Sequence, residues 1–454
     1  MLKMKNILNM QKKSILHYYI ITLGCQMNKN DSERIESLLS TGGWKAVEKP
    51  ELADLIIINT CSVRQASEDR VFGLVHNWQK LRECKPELLI TVTGCMPGRD
   101  RGGKVRKRLK GADLFFSIDE LLMFPQWIKG LRPNWDIGGT VLSDYLNILP
   151  ERKEKHRAFV TIQTGCNNFC TYCVVPYARG RERNRRVEDI LKEISDAVGN
   201  GAKEVVLLGQ VVNHYIAPDS KNFSEDNPFA KKDDFAALLW EINKLEGDFR
   251  IHWTAADPQY FSDYQIEALN LPKQVNYLHL PVQSGDNEVL KKMNRHYSRE
   301  QYLVLISKIR KSRPGIAIGT DLVLGFCGES EEQFQNTVDL FKQSDFDIAY
   351  QAMYSERSGT GAAKAFEDDI PKTEKKRRWL VIQDLMEETT HRKNQKYLHK
   401  IVDVLVNSCE NGICSGYSNE MKLVQFLGTP DLTGQLVKIK ITQAETWVLK
   451  GVVV

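Results

Sequence analysis

Residues Ala158–Gly180 read AFVTIQTGCNNFCTYCVVPYARG. The run Ala158–Gln163 is short, apolar and partly β-branched, the composition of a buried strand. Cys166, Cys170 and Cys173 follow it at CxxxCxxC spacing. Grouped cysteines in a reducing compartment serve ligation or catalysis before they serve disulfides, and thiolates are the usual ligands of iron–sulfur clusters. Three thiolates hold three irons of a [4Fe–4S] cube. The fourth iron stays open to a small molecule, as catalytic metal sites keep a position open. The alternative is a zinc site with a remote fourth ligand, although zinc ribbons pair their cysteines as CxxC.

Downstream, the runs Glu204–Leu208, Arg250–Trp253, Asn276–Leu280, Ile316–Thr320 and Ile348–Met353 alternate with helical patterns. Together with Ala158–Gln163 they make six βα units. That succession predicts a partial (βα)6, TIM-like barrel, whose chemistry lies at the carboxyl ends of its strands. The cysteine loop falls at such an end. The charged segment Pro371–Lys400 reads as a long helix leading out of this domain.

Upstream, Tyr18–Leu23, Leu55–Asn59, Leu88–Thr93 and Leu114–Phe116 are short apolar runs, each followed by a helical pattern. These are βα units of a parallel sheet. Cys25 follows the first strand, Cys61 the second and Cys95 the third. Their spacings of 36 and 34 residues (61 − 25 and 95 − 61) are one βα repeat each. All three are therefore expected on the carboxyl edge of the sheet, where ligands bind. Gly24, Asn59, Thr60 and Gly94 let the backbone approach closely there. Three ligands again leave one iron open; the alternative is three unrelated buried cysteines. Two open clusters suggest two jobs. One would bind and cleave a sulfonium cofactor, and the other would hold exchangeable sulfur.

From about Lys400 the character changes. Ile401–Val406, Lys422–Phe426, Leu436–Ile441 and Trp447–Val454 are β-rich and separated by glycines, which predicts a small antiparallel β-barrel. The fold class is thus α/β: an N-terminal parallel-sheet βα domain (16–135), the partial barrel (152–390) and the small β-barrel (393–454). A Pro/Asn/Gly-rich linker spans Leu131–Lys155. No internal repeat or low-complexity tract is present. Cys84, Cys327, Cys409 and Cys414 look isolated and are expected to be fillers or surface thiols.

The 454 residues are 42% apolar and 27% charged, ordinary for a globular protein. No apolar run reaches the length of a membrane span. The N-terminal MLKMKNILNMQKKSILHYY lacks the apolar core and cleavage site of a signal peptide. A cytoplasmic protein without a membrane partner is expected. The net charge is only +5, but basic residues cluster in Arg99–Lys110, Arg179–Arg186, Lys372–Arg378 and His391–Lys400. Such clusters suit a phosphate-bearing partner; each alone also reads as a solvated helix face.

Seven segments carry a resemblance. They are GCQMNKNDSE from Gly24, NTCSVRQASEDRVFG from Asn59, GCNNFCTYCVVPYARGRER from Gly165, LLGQVVN from Leu207, LHLPVQSG from Leu278, TDLVLGF from Thr320 and YSERSGTGAA from Tyr354. In this order they resemble the methylthiotransferase family of radical S-adenosylmethionine (radical SAM) enzymes, closest to its MiaB-type tRNA members. The C-terminal barrel looks like a TRAM RNA-binding domain.

The resemblance implies that Cys166, Cys170 and Cys173 hold the [4Fe–4S] cluster that binds S-adenosyl-L-methionine and reduces it to a 5′-deoxyadenosyl radical. It implies that Cys25, Cys61 and Cys95 hold an auxiliary [4Fe–4S] cluster carrying the sulfur that becomes methylthio. The acceptor would be C2 of N6-isopentenyl-adenosine, beside the anticodon of tRNA. Partners would be the anticodon arm and an electron donor such as a flavodoxin or ferredoxin; the sulfur donor is not named by the sequence, and a monomer is expected.

Gln210, Gln283, Ser284 and Asp321 stand at strand ends and are expected to contact the cofactor. Tyr177, Arg179 and Arg183 are candidates for RNA, since unstacked anticodon bases suit aromatic and basic side chains. Three positions depart from the family pattern. Cys327 stands in place of the Pro of Gly-Phe-Pro-Gly-Glu, and Asn184 in place of the Ser of RGRERSR. The stretch Thr254–Pro258 (TAADP) replaces Thr-Ser-His-Pro, with Asp257 where His is usual. The last two are expected to bear on substrate. GCQMN and NTCSVR favour isopentenyl-adenosine over the sibling acceptors, threonyl-carbamoyl adenosine or a ribosomal-protein aspartate. The remaining class is a non-enzymatic RNA-binding iron–sulfur sensor.

Overall fold

The computed structural model describes residues 15–62, 65–138 and 142–454. Residues 1–14, Val63 and Arg64 of the NTCSVR motif, and residues 139–141 of the linker lie outside them. The chain divides into two compact units, 1–151 and 152–454.

In the first unit, β1 (His17–Leu23), β2 (Lys45–Ala46), β3 (Leu55–Thr60), β4 (Leu89–Gly94) and β5 (Leu114–Phe116) form one parallel sheet. Its order is β2-β1-β3-β4-β5. Every residue of β3 is buried, as a central strand covered on both faces requires. The two-residue period divides its side chains. Leu55 and Ile57 pack with Ile35, Leu38 and Leu39 of the helix Gln26–Thr41. Ile56 and Ile58 pack with Val71 and Val75 of the helix Gln65–Trp78 on the opposite face. This is a doubly wound sheet: strand β2 is added on one side of β1 and β3 on the other, so the winding reverses between β1 and β3.

In the second unit, β6 (Arg157–Thr161), β9 (Glu204–Leu208) and β10 (Arg250–Trp253) form one parallel group. Between β6 and β9, the short β7 (Gln163–Thr164) and β8 (Arg183–Asn184) pair antiparallel. Strands β11 (Tyr277–His279), β12 (Ala317–Leu324) and β13 (Ile348–Met353) form the second parallel group. A parallel bridge between Ile251 and Gln274 joins the two groups. The result is the expected six-stranded partial barrel. Ile251 and Trp253 of β10 belong to the apolar layer beneath the helices. Between them, His252 turns to the interior, 5.8 Å from the Tyr277 ring.

Glu204 lies between Arg157 at 2.6 Å and Arg250 at 2.7 Å and is almost fully buried. Burial pushes its carboxyl up, but the two guanidiniums outweigh burial and hold it below the usual carboxylate range. Removing one partner of a buried ion pair costs about 3–5 kcal/mol. Glu204→Gln should lower the stability of this unit by that amount in urea unfolding followed by circular dichroism. Because the folded value is depressed, the contribution is present above pH about 4.3 and lost as pH falls through the folded value. The gap between wild type and variant should therefore narrow in acid.

The helix Lys372–Gln395 leads to the C-terminal barrel. Its strands β14 (Ile401–Glu410), β15 (Ile413–Ser418), β16 (Leu423–Leu427), β17 (Leu436–Ala444) and β18 (Leu449–Val453) close in the order β14-β15-β16-β18-β17. The barrel is antiparallel except where β16 meets β18 in parallel. Val404, Val406, Val424, Phe426, Ile439, Ile441 and Leu449 fill it. It docks on the partial barrel. Arg250 donates to the carbonyls of Tyr417 and Ser418, each at 3.1 Å. Lys393 and Lys422 share the Asp347 carboxylate at 2.9 and 3.2 Å.

The expectation of isolated thiols is corrected at one place. Cys409 and Cys414 are cross-strand partners in the β14–β15 hairpin and form a disulfide. The turn at Asn411 and Gly412, both at positive φ, brings them opposite each other. Among the described residues, no helix is long and apolar enough to cross a membrane.

Candidate metal centres

The first candidate site lies at the carboxyl edge of the N-terminal sheet. Leu23 of β1 pairs with Thr60 of β3, and Thr60 with Gly94 of β4. Cys25, Cys61 and Cys95 stand one or two residues past these registered positions, so three remote thiols share one edge. The point between β1 and β3 where the strand order switches direction is where such sheets open a crevice, and Cys25 and Cys61 flank it. The backbones are close: Cys61 N donates to Leu23 O at 2.6 Å. A Cβ on Gly24 would fall 2.8 Å from that of Cys61, and one on Gly94 would fall 2.5 Å from Thr60 O. Only glycine fits at either point.

Local sequence fixes each thiol. Cys25 is the N-cap of the helix Gln26–Thr41, and its Sγ lies 3.3 Å from Asn28 Oδ1. Asn28 Nδ2 donates to Asn59 Oδ1 at 3.1 Å, and Asn59 Nδ2 returns a bond to Asn28 O at 2.8 Å. This buried amide pair ties the β1 end to the β3 end. Cys95 begins the short helix after β4. Arg99, on that helix, holds Glu68 at 2.6 and 2.8 Å, and Glu68 binds Ser62 beside Cys61. The loops bearing Cys61 and Cys95 are thereby tied together.

The second candidate site is the loop after β7. Cys166, Cys170 and Cys173 lie on it, and its middle is pinned to the segment at Met293 and Asn294. Thr171 N donates to Met293 O at 3.0 Å, and Asn294 Nδ2 to Asn168 O at 2.9 Å. Each sulfur has a donor: Asn168 N for Cys166 and Val175 N for Cys173, both at 3.4 Å, and Arg295 Nη1 for Cys170 at 3.3 Å. Hydrogen bonds to sulfur are a feature of iron–sulfur ligation. Burial pushes the Cys166 thiol up to about 11 and the Cys173 thiol up to about 12, and the neighbouring thiols push in the same direction. Cys166 and Cys173 therefore carry their protons at neutral pH, and loading with metal must release them.

Among the described residues, no three His, Cys, Asp or Glu side chains converge on one point as a single metal ion requires. A cube makes no such demand, because each thiolate takes its own iron. Three thiols on one loop, each with a donor to its sulfur, fit a cluster better than one zinc ion.

The other candidate residues divide. Gln210 is half-buried past the end of β9. Gln283 has φ +71, and its N–H donates to Asp321 O at 2.9 Å. Asp321 is partly open, and His279 Nε2 lies 3.1 Å from its carboxylate. The other nitrogen of His279 is 3.0 Å from Tyr277 Oη. Ser284 is fully buried, with its hydroxyl turned to Thr337 at 3.5 Å. Tyr177 is half-buried beside the exposed Phe169, with ring centroids 6.2 Å apart, and Lys364 Nζ lies 5.8 Å over its ring. Arg183 is exposed on β8, whereas Arg179 is buried.

Sequence reasoning missed Arg295, Phe169, and the His279–Tyr277 pair behind Asp321. It also missed the Glu182–His214 contact at 3.0 Å, whose imidazole stacks on Tyr260. Phe169, Glu182 and His279 lie within the quoted segments but are not spaced like ligands, and Arg295, Tyr277, His214 and Tyr260 lie outside those segments.

Three family models match in chain order. Residues 17–117 match the Uncharacterized protein family UPF0004, 160–341 the Radical SAM superfamily and 395–454 the TRAM domain. Among solved structures, the radical S-adenosylmethionine methyltransferase TsrM from Kitasatospora setae is similar in fold. Its TM-score is 0.56 at 12% identity, covering 76% of this chain and 75% of that one. The cobalamin-dependent S-adenosylmethionine radical enzyme OxsB gives a TM-score of 0.52 at 13% identity, over 84% and 56%. Among whole-length relatives, the tRNA-2-methylthio-N(6)-dimethylallyladenosine synthase of Thermoanaerobacter sp. (strain X514) is 39% identical over 99% of this chain and 95% of its own. The enzyme of the same name from Clostridium botulinum (strain Hall) is 39% identical over 99% of both chains. The chain belongs to the tRNA-2-methylthio-N(6)-dimethylallyladenosine synthase family of radical SAM enzymes.

Proposed function

We propose that this chain is the enzyme that adds a methylthio group to C2 of N6-isopentenyl-adenosine next to the tRNA anticodon. The observation that carries the reading is the placement of Cys25, Cys61 and Cys95 just past the registered ends of β1, β3 and β4. A second three-thiol site gives a place where exchangeable sulfur could be held apart from the radical site. The full-length likeness to the named synthases favours this acceptor over threonyl-carbamoyl adenosine, a ribosomal-protein aspartate or a non-enzymatic sensor.

In this reading Cys166, Cys170 and Cys173 hold one [4Fe–4S] cluster, and Cys25, Cys61 and Cys95 a second. When bound, the first supplies a 5′-deoxyadenosyl radical from S-adenosylmethionine and the second supplies sulfur. The chain's own residues do the rest. The donors Asn168 N, Val175 N and Arg295 hold the radical-site sulfurs in place. Gln210, Gln283 and Asp321 line the carboxyl ends of the barrel strands, where polar side chains orient a cofactor. His279, braced by Tyr277, fixes the Asp321 carboxylate. The His252 imidazole is neutral at physiological pH because burial holds it down to about 4. Tyr177 and Phe169 offer ring faces to a splayed base. Reductive cleavage requires a one-electron donor of the flavodoxin or ferredoxin class, and a monomer acting in the cytoplasm completes the reading. Nucleosides from tRNA of a strain lacking the protein test it. N6-isopentenyl-adenosine should accumulate without its methylthio derivative, and an unchanged methylthio level would reject the reading.

The C-terminal barrel is assigned to RNA. Lys400 and Lys440 are exposed neighbours on it, because Ile441 N donates to Lys400 O at 2.9 Å and β17 runs beside β14. Removing the whole barrel would also take the Tyr417 and Ser418 carbonyls from Arg250 and Lys422 from Asp347, so point changes are the cleaner test. Single-strand phosphate contacts contribute about −0.7 each to the log–log salt slope. The double variant Lys400→Gln/Lys440→Gln should weaken tRNA binding and flatten the slope by about 1.4, with thermal stability unchanged. Binding titrations at several salt concentrations measure this, and an identical slope would remove these lysines from the interface.

A further inference from the structure

We propose that Asp257 is a positioning residue for the radical cluster, acting through Arg295 on Cys170; this rests on the reading that Cys166, Cys170 and Cys173 hold that cluster. A single nitrogen makes the link. Arg295 Nη1 stands 3.3 Å from Cys170 Sγ and 3.1 Å from Asp257 Oδ2. Both charged side chains are buried, at 7% and 5% exposure. Arg295 Nε donates to Tyr297 Oη at 3.1 Å, and the guanidinium lies over that ring. The arginine is therefore held on three sides.

Asp257 also grips the cysteine loop directly. Its Oδ2 accepts from Asn168 Nδ2 at 2.9 Å, and Asn168 lies between Cys166 and Cys170. Its Oδ1 accepts from Gln259 N at 3.1 Å, and its own N–H donates to Asn213 Oδ1 at 2.8 Å. One carboxylate thus touches the loop at Asn168 and reaches its central thiol through Arg295.

The charges decide what this does. A reduced cluster carries one more negative charge than an oxidised one. A buried guanidinium beside a ligating sulfur stabilises the extra charge and eases reduction. The Asp257 carboxylate at the same nitrogen opposes that field, so it keeps the hydrogen bond to Cys170 while cancelling most of the net charge.

The test uses the full chain with Cys25, Cys61 and Cys95 replaced by Ala, so that a single cluster titrates. An iron content of about four in this background checks the underlying reading by itself; its absence would overturn that reading rather than the role of Asp257. Redox titration followed by electron paramagnetic resonance then gives the cluster's reduction equilibrium without S-adenosylmethionine. Asp257→Asn should favour reduction about tenfold, which is about 59 mV for one electron. Arg295→Gln should shift the equilibrium the opposite way, because it leaves a carboxylate near the sulfur. Asp257→Glu should return it toward wild type. If Asp257→Asn does not assemble a cluster, Asp257→His removes the same negative charge and should shift in the same direction. Shifts of one sign in both the Asp257 and Arg295 variants, or no shift beyond about twofold in either, would overturn the proposal.

Discussion

Anaerobically reconstituted protein with Cys166, Cys170 and Cys173 all changed to Ala is expected to hold about four irons in place of about eight. It should form no 5′-deoxyadenosine from S-adenosylmethionine. The expectation follows from how the loop is built. Burial, together with the neighbouring thiols, disfavours ionisation of Cys166 and Cys173. Raised thiol values suit a site that exchanges protons for metal. The loop's position does not depend on the thiols, because Thr171 and Asn294 pin it to the segment around Met293. The variant should fold, and its remaining iron should sit in the N-terminal unit. Iron analysis with chromatography of the nucleoside product checks both halves. Eight irons in the variant would remove these cysteines from the cluster.

Changing Cys61 alone to Ala is expected to abolish methylthiolation and leave reductive cleavage of S-adenosylmethionine in place. Cys61 belongs to the compact unit 1–151, and the radical-site cysteines belong to the other. Alanine keeps the backbone bond from residue 61 to Leu23 O, so the sheet edge survives the change. Two thiols remain where three were, which is too few to hold a cube with a single open iron. The product should fall below detection while 5′-deoxyadenosine still forms. Loss of cleavage as well, with the radical cluster intact by electron paramagnetic resonance, would contradict this division of labour.

The parts legible in the sequence were those with a period or a spacing. The βα alternation located both parallel sheets, because buried parallel strands are continuous apolar runs such as LIIIN. One cysteine per strand end, repeated at about one βα unit, anticipated the shared edge of Cys25, Cys61 and Cys95. Strand β15 was missed because its sequence, ICSGYS, has a glycine at its centre and little β propensity. Gly416 is there because a Cβ would fall 2.1 Å from Leu405 O in the neighbouring strand, a demand only the closed barrel imposes. The Cys409–Cys414 pairing was missed for the same reason: it depends on hairpin register, which spacing alone does not specify.

Polar partners were the least legible. Arg295 lies 125 residues from Cys170, and nothing local marks it as a neighbour of a thiol. Arg179 looks like a surface cation in a basic run, yet it is buried. Ser284 stands at a strand end, but its hydroxyl turns to Thr337 on the helix Glu331–Ser344. Side-chain direction at such points is settled by which helix packs there, and that information lies in tertiary contacts.

The most direct measurement is mass spectrometry of nucleosides after incubating the reconstituted protein, under reducing anaerobic conditions, with S-adenosylmethionine and tRNA bearing N6-isopentenyl-adenosine. The account predicts a nucleoside that has gained one sulfur and one methyl carbon at that adenosine, and no product from the Cys61→Ala protein. Unchanged N6-isopentenyl-adenosine, with both clusters present by spectroscopy and S-adenosylmethionine being cleaved, would contradict it.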